Sequence, residues 1–434
     1  MAELELEIQK LVAGGRGLAR TSEGQVALVS GALPGERVRA AVEKRQRDYL
    51  LARTVELLRV SPERTDPPCP LYGRCGGCDF MHLEHAAQVA AKSAWLAETL
   101  GRAGVELAPQ ALPSPRVWGF RHRLRFQVQE GRLGFFAAAS HGLVPLEHCP
   151  VAAPAVNRVL PALARGLAAL PGEAGRALTG VEVLAGEGED ADVFLLVLGD
   201  RPSPPSRRTR AALAAWAREA GAAGLRVAWG PGGRRRETWP LTQDHTILYW
   251  SEGDMGLRAV PGLFCQVNFG ANRRLIQAVR EAAQGAPPGP ALDLYAGSGN
   301  FSLPLAAAGR RVEAVERVYD ALEALAWQAE TQGLAGRLDR RQADSVAAVS
   351  ELVRRGRRFP LVVLDPPREG ARDLLPALWD LEPRRVIYVS CHPAALARDA
   401  ARFLQQGFQA VGLSQVDMFP HTGHTEAVLV LERA

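Results

Sequence analysis

The sequence predicts a multi-domain protein with three parts: a small N-terminal β-barrel of the OB type, a central α/β domain with a four-cysteine loop, and a C-terminal doubly wound α/β domain. Short apolar strand patterns separated by glycine turns fill about the first sixty residues. Three cysteines follow within ten residues, and strand and helix patterns alternate from about residue 262. The length of 434 residues suits two or three domains of roughly 150 residues each. The predicted boundaries are 1–62, 63–261 and 262–434, and part of 84–120 is expected to pack with the third domain.

Composition and charge favour a cytoplasmic protein with a polyanionic partner. The formal net charge is +5, which favours but does not prove binding to nucleic acid. The acidic N-terminus lacks the layout of a signal peptide, and no apolar run approaches the roughly 18 residues of a membrane span. We therefore expect no membrane partner, and we expect a monomer. The six cysteines do not suggest a disulfide framework in such a chain.

The first domain is expected to bind RNA. Barrels of the OB type often bind single-stranded nucleic acid, and the basic hairpin from Lys44 to Tyr49 favours RNA. The alternative is a β module that only packs on its neighbour. The predicted strands are Leu4 to Leu11, Gln25 to Ser30, Glu36 to Val42 and Leu50 to Leu58.

The second domain begins with a metal-site pattern. Cys69, Cys75, Cys78 and Cys149 read C-x5-C-x2-C…C, with glycines that let the backbone wrap closely. Four thiolates suit tetrahedral zinc or an iron–sulfur cluster. We favour the cluster, because zinc ligands more often come as two C-x2-C pairs. The expected role is structural: the cluster would hold a loop whose surface meets a partner.

A strand pattern after this loop alternates arginines with other residues. Arg121, Arg123 and Arg125 would share one face of a strand and could bind phosphates. The alternative is a solvated strand face.

The third domain has the alternating pattern of a doubly wound parallel sheet. Such sheets bind ligands at the carboxyl ends of their strands. The predicted strands are Ala291 to Leu294, Arg311 to Val315, Leu338 to Gln342, Leu361 to Leu364, Arg385 to Val389, Ala410 to Asp417 and Ala427 to Leu431.

Three successive strand ends predict a site for S-adenosylmethionine. The first strand ends in a turn with Gly297 and Gly299, but the third glycine of a dinucleotide site is absent. Asp293, before this turn, suits a cation better than a pyrophosphate. Glu316 ends the second strand and could bind ribose hydroxyls, and Asp344 ends the third and could meet an adenine amine. An adenosine with a positive charge and no phosphates is S-adenosylmethionine.

The fourth and fifth strands and a late turn carry the groups for chemistry. Asp365-Pro-Pro ends the fourth strand, but Arg368 replaces the aromatic that amino-methyltransferases place there. Cys391 follows the fifth strand and Glu426 lies in a late turn; taken alone, each could be a residue without a catalytic role. A thiolate that adds to carbon 6 of uracil activates carbon 5 for methylation, and a carboxylate can remove the carbon 5 proton. The sequence therefore predicts a cysteine nucleophile and a glutamate base beside a methyl donor.

At this point the chain resembles the RNA uracil-C5-methyltransferases that carry an iron–sulfur cluster, the family of the bacterial 23S rRNA and tRNA m5U enzymes. The four-cysteine pattern and a barrel similar to a TRAM domain extend the resemblance over nearly the whole chain. The motifs that carry it are Phe264-Cys-Gln266-Val-Asn268, Asp293 to Asn300, Asp365-Pro-Pro-Arg-Glu-Gly370, Ser390-Cys391-His-Pro and His421-Thr-Gly-His-Thr-Glu426.

The resemblance implies roles for individual residues. Cys391 would be the nucleophile and Glu426 the base, while Cys265 would be a bystander. Asp365 would contact the methyl donor and also lie near the target uracil. The implied methyl-donor residues are Gln266, Tyr295, Asn300, Glu316, Asp344 and Asp365, and the implied ligands of a [4Fe-4S] cluster are Cys69, Cys75, Cys78 and Cys149.

Two positions beside the nucleophile depart from the family pattern. His392 stands where the family usually has asparagine, and Ala395 stands where it has threonine. Neither change touches Cys391 or Glu426.

The expected function is methylation of carbon 5 of a uridine in RNA by way of a covalent cysteine–carbon 6 adduct. The barrel and the cysteine loop favour 23S rRNA, because the tRNA branch typically lacks both. The alternatives are tRNA uridine-C5 methylation, RNA cytosine-C5 methylation, and a non-catalytic RNA-binding assembly factor that keeps methyl-donor binding. An intact Cys391 and Glu426 argue against the last of these.

Overall fold

A six-stranded antiparallel and parallel sheet forms the N-terminal part of the chain in the computed structural model, which describes residues 2–170, 175, 177–200, 205–230, 235–236, 243–253 and 255–433. The strand order is β1-β5-β6-β4-β3-β2. The strands are β1 (Glu3–Glu7), β2 (Lys10–Val12), β3 (Arg16–Arg20), β4 (Val26–Ser30), β5 (Arg37–Arg45) and β6 (Tyr49–Arg59).

This sheet has six strands, whereas four strand ranges were predicted for it. The predicted strand from Leu4 to Leu11 is two strands, because the chain leaves β5 and joins β3 at Ile8 and Gln9, whose amides bond to Glu36 O and Leu18 O. β1 and β2 follow each other directly in the chain and yet lie at opposite ends of the strand order. The sheet therefore curls around a single core, as a barrel does.

The second sheet is formed by residues between 123 and 236. Its order is β10-β9-β8-β11-β12-β13-β14, and α2 and α3 pack on it through a shared apolar core. Between the first two sheets lie the cysteine loop, the helix α1 (His85–Gly101) and the strand β7 (Gln110–Leu112). The elements of the second sheet are β8 (Arg123–Gln129), β9 (Arg132–Phe136), β10 (Leu143–Pro145), α2 (Pro154–Ala169), β11 (Leu178–Ala185), β12 (Val193–Gly199), α3 (Arg207–Glu219), β13 (Gly224–Trp229) and β14 (Arg235–Arg236).

A two-stranded antiparallel pair, β15 (Ile247–Glu252) and β16 (Met255–Ala259), leads to the third sheet. From there strands and helices alternate, because short β-branched apolar runs are separated by amphipathic segments. The elements are α4 (Phe269–Gln284), β17 (Ala291–Leu294), α5 (Ser302–Ala307), β18 (Val312–Glu316), α6 (Tyr319–Thr331), β19 (Leu338–Gln342), α7 (Ser345–Arg354), β20 (Leu361–Leu364), α8 (Leu375–Leu378), β21 (Arg385–Ser390), α9 (Pro393–Gln405), β22 (Phe408–Val416) and β23 (Glu426–Arg433).

The third sheet has the order β19-β18-β17-β20-β21-β23-β22-β7. Strands β17 to β21 are parallel, and β23 is antiparallel to both β21 and β22. The order reverses between β17 and β20, so their carboxyl ends open a crevice where open α/β sheets bind ligands. An apolar core covers each face of the sheet.

The third sheet also takes elements from before the second sheet. β7 pairs with β22 as an edge strand, and α1 packs against α9. The helix α1 and the strand β7 therefore pack with the third sheet although they precede the predicted boundary at residue 262. The domain limits stay a prediction. Within the part of the chain that the structure describes, no helix is long and apolar enough to cross a membrane.

Candidate active site

A cavity of about 1350 Å³ opens at the carboxyl ends of β17, β18, β20 and β21. Its volume exceeds the roughly 300–1,000 Å³ of a typical small-molecule site, so it has room for more than one ligand. Asp344 does not line the cavity. The other predicted catalytic and methyl-donor residues do line it: Gln266, Tyr295, Asn300, Glu316, Asp365, Cys391 and Glu426.

The glycine turn after β17 forms one wall of the cavity. Tyr295, Gly297 and Gly299 all have positive φ angles, of 66°, 55° and 97°. A side chain at Gly299 would also place its Cβ 2.3 Å from Leu325 Cδ1. The backbone can therefore make this tight turn only with glycine at that position.

Two buried polar atoms at this turn lack a partner among the described residues. They are Asp293 Oδ1 and Ser298 Oγ. The other carboxylate oxygen of Asp293 accepts a 2.5 Å hydrogen bond from the Ser302 hydroxyl. Burial raises the pKa of Asp293 to about 7, and the negative charge of Glu316 adds to the shift. A buried acid of this kind is stabilised by a nearby cation.

The carboxylates of Glu316 and Asp344 both accept hydrogen bonds from backbone amides. Glu316 accepts bonds from the amides of Gly297 at 3.0 Å and Val318 at 2.8 Å, so it fixes the glycine turn and keeps oxygen lone pairs for a ligand. Asp344 caps α7 by accepting a bond from the Val346 amide at 3.0 Å. Asp344 is not among the lining residues, and its contact with an adenine amine stays a prediction.

Asn300 is fixed by two residues that the sequence did not point to. Its side-chain amide makes a reciprocal pair with that of Asn272, at 2.8 and 3.0 Å. Its Oδ1 also accepts a 3.0 Å bond from the Tyr249 hydroxyl. Asn272 lies 28 positions away and Tyr249 lies 51 positions away, so no local pattern could have indicated either.

The reacting groups line the same cavity, where they shift one another's pKa. Burial raises the pKa of the Cys391 thiol, with smaller contributions from Glu426 and Asp365, and against the opposing effect of Arg368 it reaches about 11. Burial and Asp365 raise the pKa of Glu426 well above its usual value. Burial and Asp293 raise the pKa of Asp365 to about 7. Without a cation in the cavity, Cys391 is therefore a thiol at pH 7, and burial together with Asp365 favours the neutral form of Glu426.

Cys391 is held between a strand and a helix. β21 ends at Ser390, and α9 begins at Pro393. His392 caps this helix, since its Nδ1 accepts a 3.1 Å hydrogen bond from the Ala395 amide. The thiol therefore lies at the positive end of a 13-residue helix, where the field favours a thiolate.

The four-cysteine loop forms part of the cavity wall through Gly76 and Gly77. Burial raises the pKa of the Cys78 thiol, and the charges of the other three predicted ligands, Cys149, Cys75 and Cys69, raise it further. Cys69, Cys78 and Cys149 also pack against one apolar cluster. In the described part of the chain, however, no three His, Cys, Asp or Glu side chains are grouped so that they could hold a metal ion.

The predicted arginine strip is only partly at the cavity. Arg121 and Arg123 line it, and Arg125 does not. Arg123 bonds to Glu182 at 2.8 Å and lies 5.8 Å from the ring centre of Phe264. The Phe264 ring is 66% exposed, so the cavity mouth presents an aromatic face beside guanidinium groups.

Comparisons with known proteins agree with this geometry. The model of the tRNA (Uracil-5-)-methyltransferase family matches residues 243–434, and the TRAM domain model matches residues 2–55. The chain is 37% identical over 441 residues to the 23S rRNA (uracil(1939)-C(5))-methyltransferase RlmD of Chromohalobacter salexigens, covering 99% of this chain and 89% of that protein. It is 36% identical to the protein of the same name from Xanthomonas oryzae, covering 96% and 95%.

A solved structure shares the fold. The tRNA (uracil-54, C5)-methyltransferase of Pyrococcus abyssi, in complex with S-adenosyl-L-homocysteine, matches with a TM-score of 0.75 and covers 99% of this chain and 100% of that chain. The sequence identity is 23%, so this likeness concerns the fold alone. Together the matches confirm the predicted N-terminal TRAM domain and the C-terminal methyltransferase fold.

Proposed function

The chain belongs to the RNA (uracil-5-)-methyltransferases, and we propose that it methylates carbon 5 of a uridine in 23S rRNA through a covalent adduct of Cys391. The main support for this mechanism is that Cys391, Glu426 and Asp365 line one cavity together with the glycine turn. The reaction is inferred from membership of the family, and 23S rRNA is inferred as the substrate from the names of the relatives.

The cavity fits S-adenosylmethionine. This donor supplies an electrophilic methyl group on a sulfonium. Asp365 lines the cavity and has a raised pKa, so a bound cation would stabilise its ionised form. Asp293 is fully buried and does not line the cavity, but its raised pKa and its carboxylate oxygen without a partner among the described residues suit a positive charge nearby. Glu316 keeps acceptor capacity for ribose hydroxyls, and Val318, 44% exposed at the same wall, offers an apolar face to adenine. Gln266, Tyr295 and Asn300 complete the proposed donor site.

In the proposed reaction, Cys391 acts as the nucleophile and Glu426 as the base. The Cys391 thiolate forms a bond to carbon 6 of uracil, and the carbon 5–carbon 6 double-bond electrons move to carbon 5 and the carbonyl. Carbon 5 then takes the methyl group, and the sulfonium sulfur keeps the electrons of the broken bond. Glu426 accepts the carbon 5 proton, the double bond re-forms, and Cys391 leaves as the thiolate. Asp365 stays close to both the donor and the uracil.

The RNA side of the cavity supports a single-stranded or extruded target. Carbon 6 cannot be reached inside a stack, so the target base must leave its helix. Arg121, Arg123, Arg258 and Arg368 line the cavity and suit phosphates, while Phe264 and Tyr319 offer exposed rings for stacking. The TRAM domain adds a second RNA-binding surface. We keep the predicted monomer and cytoplasmic location as part of this proposal.

RNA containing 5-fluorouridine tests the adduct. Fluorine at carbon 5 cannot be removed as a cation, so the Cys391–carbon 6 bond should persist after methyl transfer and appear as a shifted band on a denaturing gel. Cys391→Ala should abolish the band and methylation while methyl-donor binding remains. Cys265→Ala is the matched control, because Cys265 also lines the cavity and has no proposed role. Turnover by the Cys391→Ala protein would contradict the mechanism.

A second experiment separates the alternative substrates. Mapping methylated positions in 23S rRNA and tRNA from a strain that lacks this protein should show one or more lost 5-methyluridines in 23S rRNA. Loss in tRNA alone would favour the tRNA alternative, and loss of 5-methylcytidine would favour the cytosine alternative. If 5-methyluridine in 23S rRNA, 5-methyluridine in tRNA and 5-methylcytidine are all unchanged, the result would favour a non-catalytic assembly factor.

Cys69, Cys75, Cys78 and Cys149 fit a [4Fe-4S] cluster by donor chemistry: they are four partly buried thiols, and all but Cys75 pack against one apolar cluster. The cluster would fix the loop that carries Gly76 and Gly77. Protein purified without oxygen should be brown and contain iron and sulfide, and zinc alone would overturn the assignment. Cys78→Ser should lose the colour, whereas Cys265→Ser should keep it.

A further inference from the structure

Three polar side chains of α1 face the segment that leads to Glu426. His85, Gln88 and Lys92 are spaced three and four positions apart, so they lie on one face of the helix. Their partners are Asp417, Phe419 and His421, which belong to the turn between β22 and β23. This turn (residues 417–425) is called the base turn below, because β23 begins with Glu426.

Lys92 and Asp417 form a fully buried ion pair. Lys92 Nζ donates to Asp417 Oδ1 at 2.6 Å and to the Phe419 carbonyl at 2.8 Å, and neither charged side chain is exposed. The other Asp417 oxygen lies 2.8 Å from His85 Nε2. Burying two charges costs free energy that a well-placed pair only offsets, so such a pair is better evidence for a fixed geometry than for stability.

Gln88 fixes the base turn at a second point. Its Oε1 accepts a 2.8 Å hydrogen bond from the His421 amide. Its Nε2 donates to the Leu83 and Phe80 carbonyls at 2.7 and 3.0 Å and lies 3.2 Å from His421 Nδ1. His421 has a φ angle of 64°, which costs a residue other than glycine free energy. Its ring stacks on Trp118 with centroids 4.0 Å apart, and its Nε2 donates to the Val117 carbonyl at 2.8 Å.

The cysteine loop contributes a third support. The amides of Asp79 and Phe80, directly after Cys78, donate to the His421 carbonyl at 2.8 and 2.9 Å. The base turn is thus held from α1 and from the cysteine loop, both of which precede the second sheet. Its other side contributes Phe419, Thr422 and His424 to the cavity beside Glu426.

We propose that α1 is a positioning element for the catalytic base, in which Lys92 and Gln88 fix the base turn so that the Glu426 carboxylate reaches the carbon 5 proton. This rests on the proposed function, since it assigns a step to Glu426. Neither Lys92 nor Gln88 lines the cavity, so both are positioning residues. Because a displacement of about 1 Å can slow a reaction on the order of a hundredfold, loosening the turn should slow proton removal.

The two steps of the reaction separate this role from a merely structural one. Single-turnover assays on RNA with tritium at carbon 5 of uridine measure methyl transfer from labelled donor and proton removal as tritium released to water. Lys92→Met should leave methyl transfer within about twofold and slow tritium release by about tenfold or more. The methylated cysteine–RNA adduct should then accumulate on a denaturing gel.

Two further variants distinguish position from folding. Lys92→Met with Asp417→Asn removes the unpaired buried charge, so thermal stability should recover. Tritium release should stay slow, because the Phe419 carbonyl keeps its bonds from Thr422 but loses the link to α1 through Lys92. Gln88→Met should slow the same step through His421 and decides the matter if Lys92→Met does not fold. Lys10→Met is the matched control, since it removes an exposed ion pair with Glu98 of the same helix and should match the wild type.

Folded Lys92 and Gln88 variants that release tritium at the wild-type rate would overturn the proposal, and so would an equal slowing of both steps. A wild-type protein that forms no adduct on 5-fluorouridine RNA would instead refute the proposed function. The two failures are therefore distinguishable.

Discussion

The Nδ1 atom of His392 accepts a hydrogen bond from the Ala395 backbone amide at 3.1 Å, so an imidazole ring caps the helix that starts beside Cys391. Asparagine, the usual residue of the family at this position, can make the same bond with its side-chain oxygen. The two departures noted in the sequence are thus joined by one contact. The change from asparagine to histidine keeps the cap, and Ala395 takes part only through its backbone.

His392→Asn should therefore keep full stability and methyl transfer, whereas His392→Ala should lose about 1 kcal/mol of unfolding free energy with the cap. Because Cys391 precedes the capped residue, the alanine variant should also form the 5-fluorouridine adduct more slowly. Chemical denaturation and adduct formation measure the two effects. Equal behaviour of the alanine and asparagine variants would show that the cap does not matter.

The raised pKa of Cys391, about 11, predicts how the rate of its alkylation depends on pH. Only the thiolate reacts with iodoacetamide, so the rate at the Cys391 peptide should rise about tenfold per pH unit from pH 7 toward 10. Arg368 lowers this pKa, so Arg368→Gln should slow alkylation at a fixed pH. Mass spectrometry of the peptide gives the rate, and a rate independent of pH in this range would contradict the prediction.

The sequence predicted the third sheet closely, because its strands are short buried runs between amphipathic helices. The seven predicted strands each start and end within two residues of the observed ones. The reacting groups could be predicted for a related reason: the ends of parallel strands meet at one edge. In the first sheet β3 was missed, since Arg16–Arg20 has two charged residues and little apolar pattern.

The supports of the site could not be predicted in this way. Lys92 lies 325 positions from Asp417, and Gln88 lies 333 positions from His421, so no periodicity connects them. The only signal in the sequence was a lysine on the buried side of an alanine-rich helix. A pattern shows which residues are polar or apolar, but the partner of a buried polar group depends on the tertiary fold.

The packing of the turn after Asp365 can be tested with a second pair of variants, at Gly370 and Gly356. Asp399 Oδ2 accepts bonds from the Ala371 amide at 2.8 Å and the Tyr388 hydroxyl at 2.7 Å, and a Cβ at Gly370 would lie 2.5 Å from the same oxygen. Gly370→Ala should therefore destabilise the protein and slow methylation by moving the Asp365 turn.

Gly356→Ala is the matched control for this change. Gly356 also has a positive φ, of 65°, but a Cβ there would meet nothing within 4 Å. It should cost only the backbone strain, about 1 kcal/mol, and leave methylation unchanged. The excess cost of Gly370→Ala in chemical denaturation then measures the contact with Asp399. Equal costs at the two glycines would refute that contact.

The raised pKa values of Asp293 and Asp365, both about 7, predict proton release on binding of the methyl donor. Below pH 7 both groups are largely neutral in the free protein, and the sulfonium cation favours their ionised forms, so binding expels protons. The affinity for S-adenosylmethionine should then increase from pH 6 to pH 8 and level off above it. Calorimetry in buffers of different ionisation enthalpy counts the released protons directly. S-adenosylhomocysteine is the matched ligand, because it lacks the sulfonium charge and should release fewer protons. Equal proton release by the two ligands would mean that these carboxylates do not sense the charge of the donor.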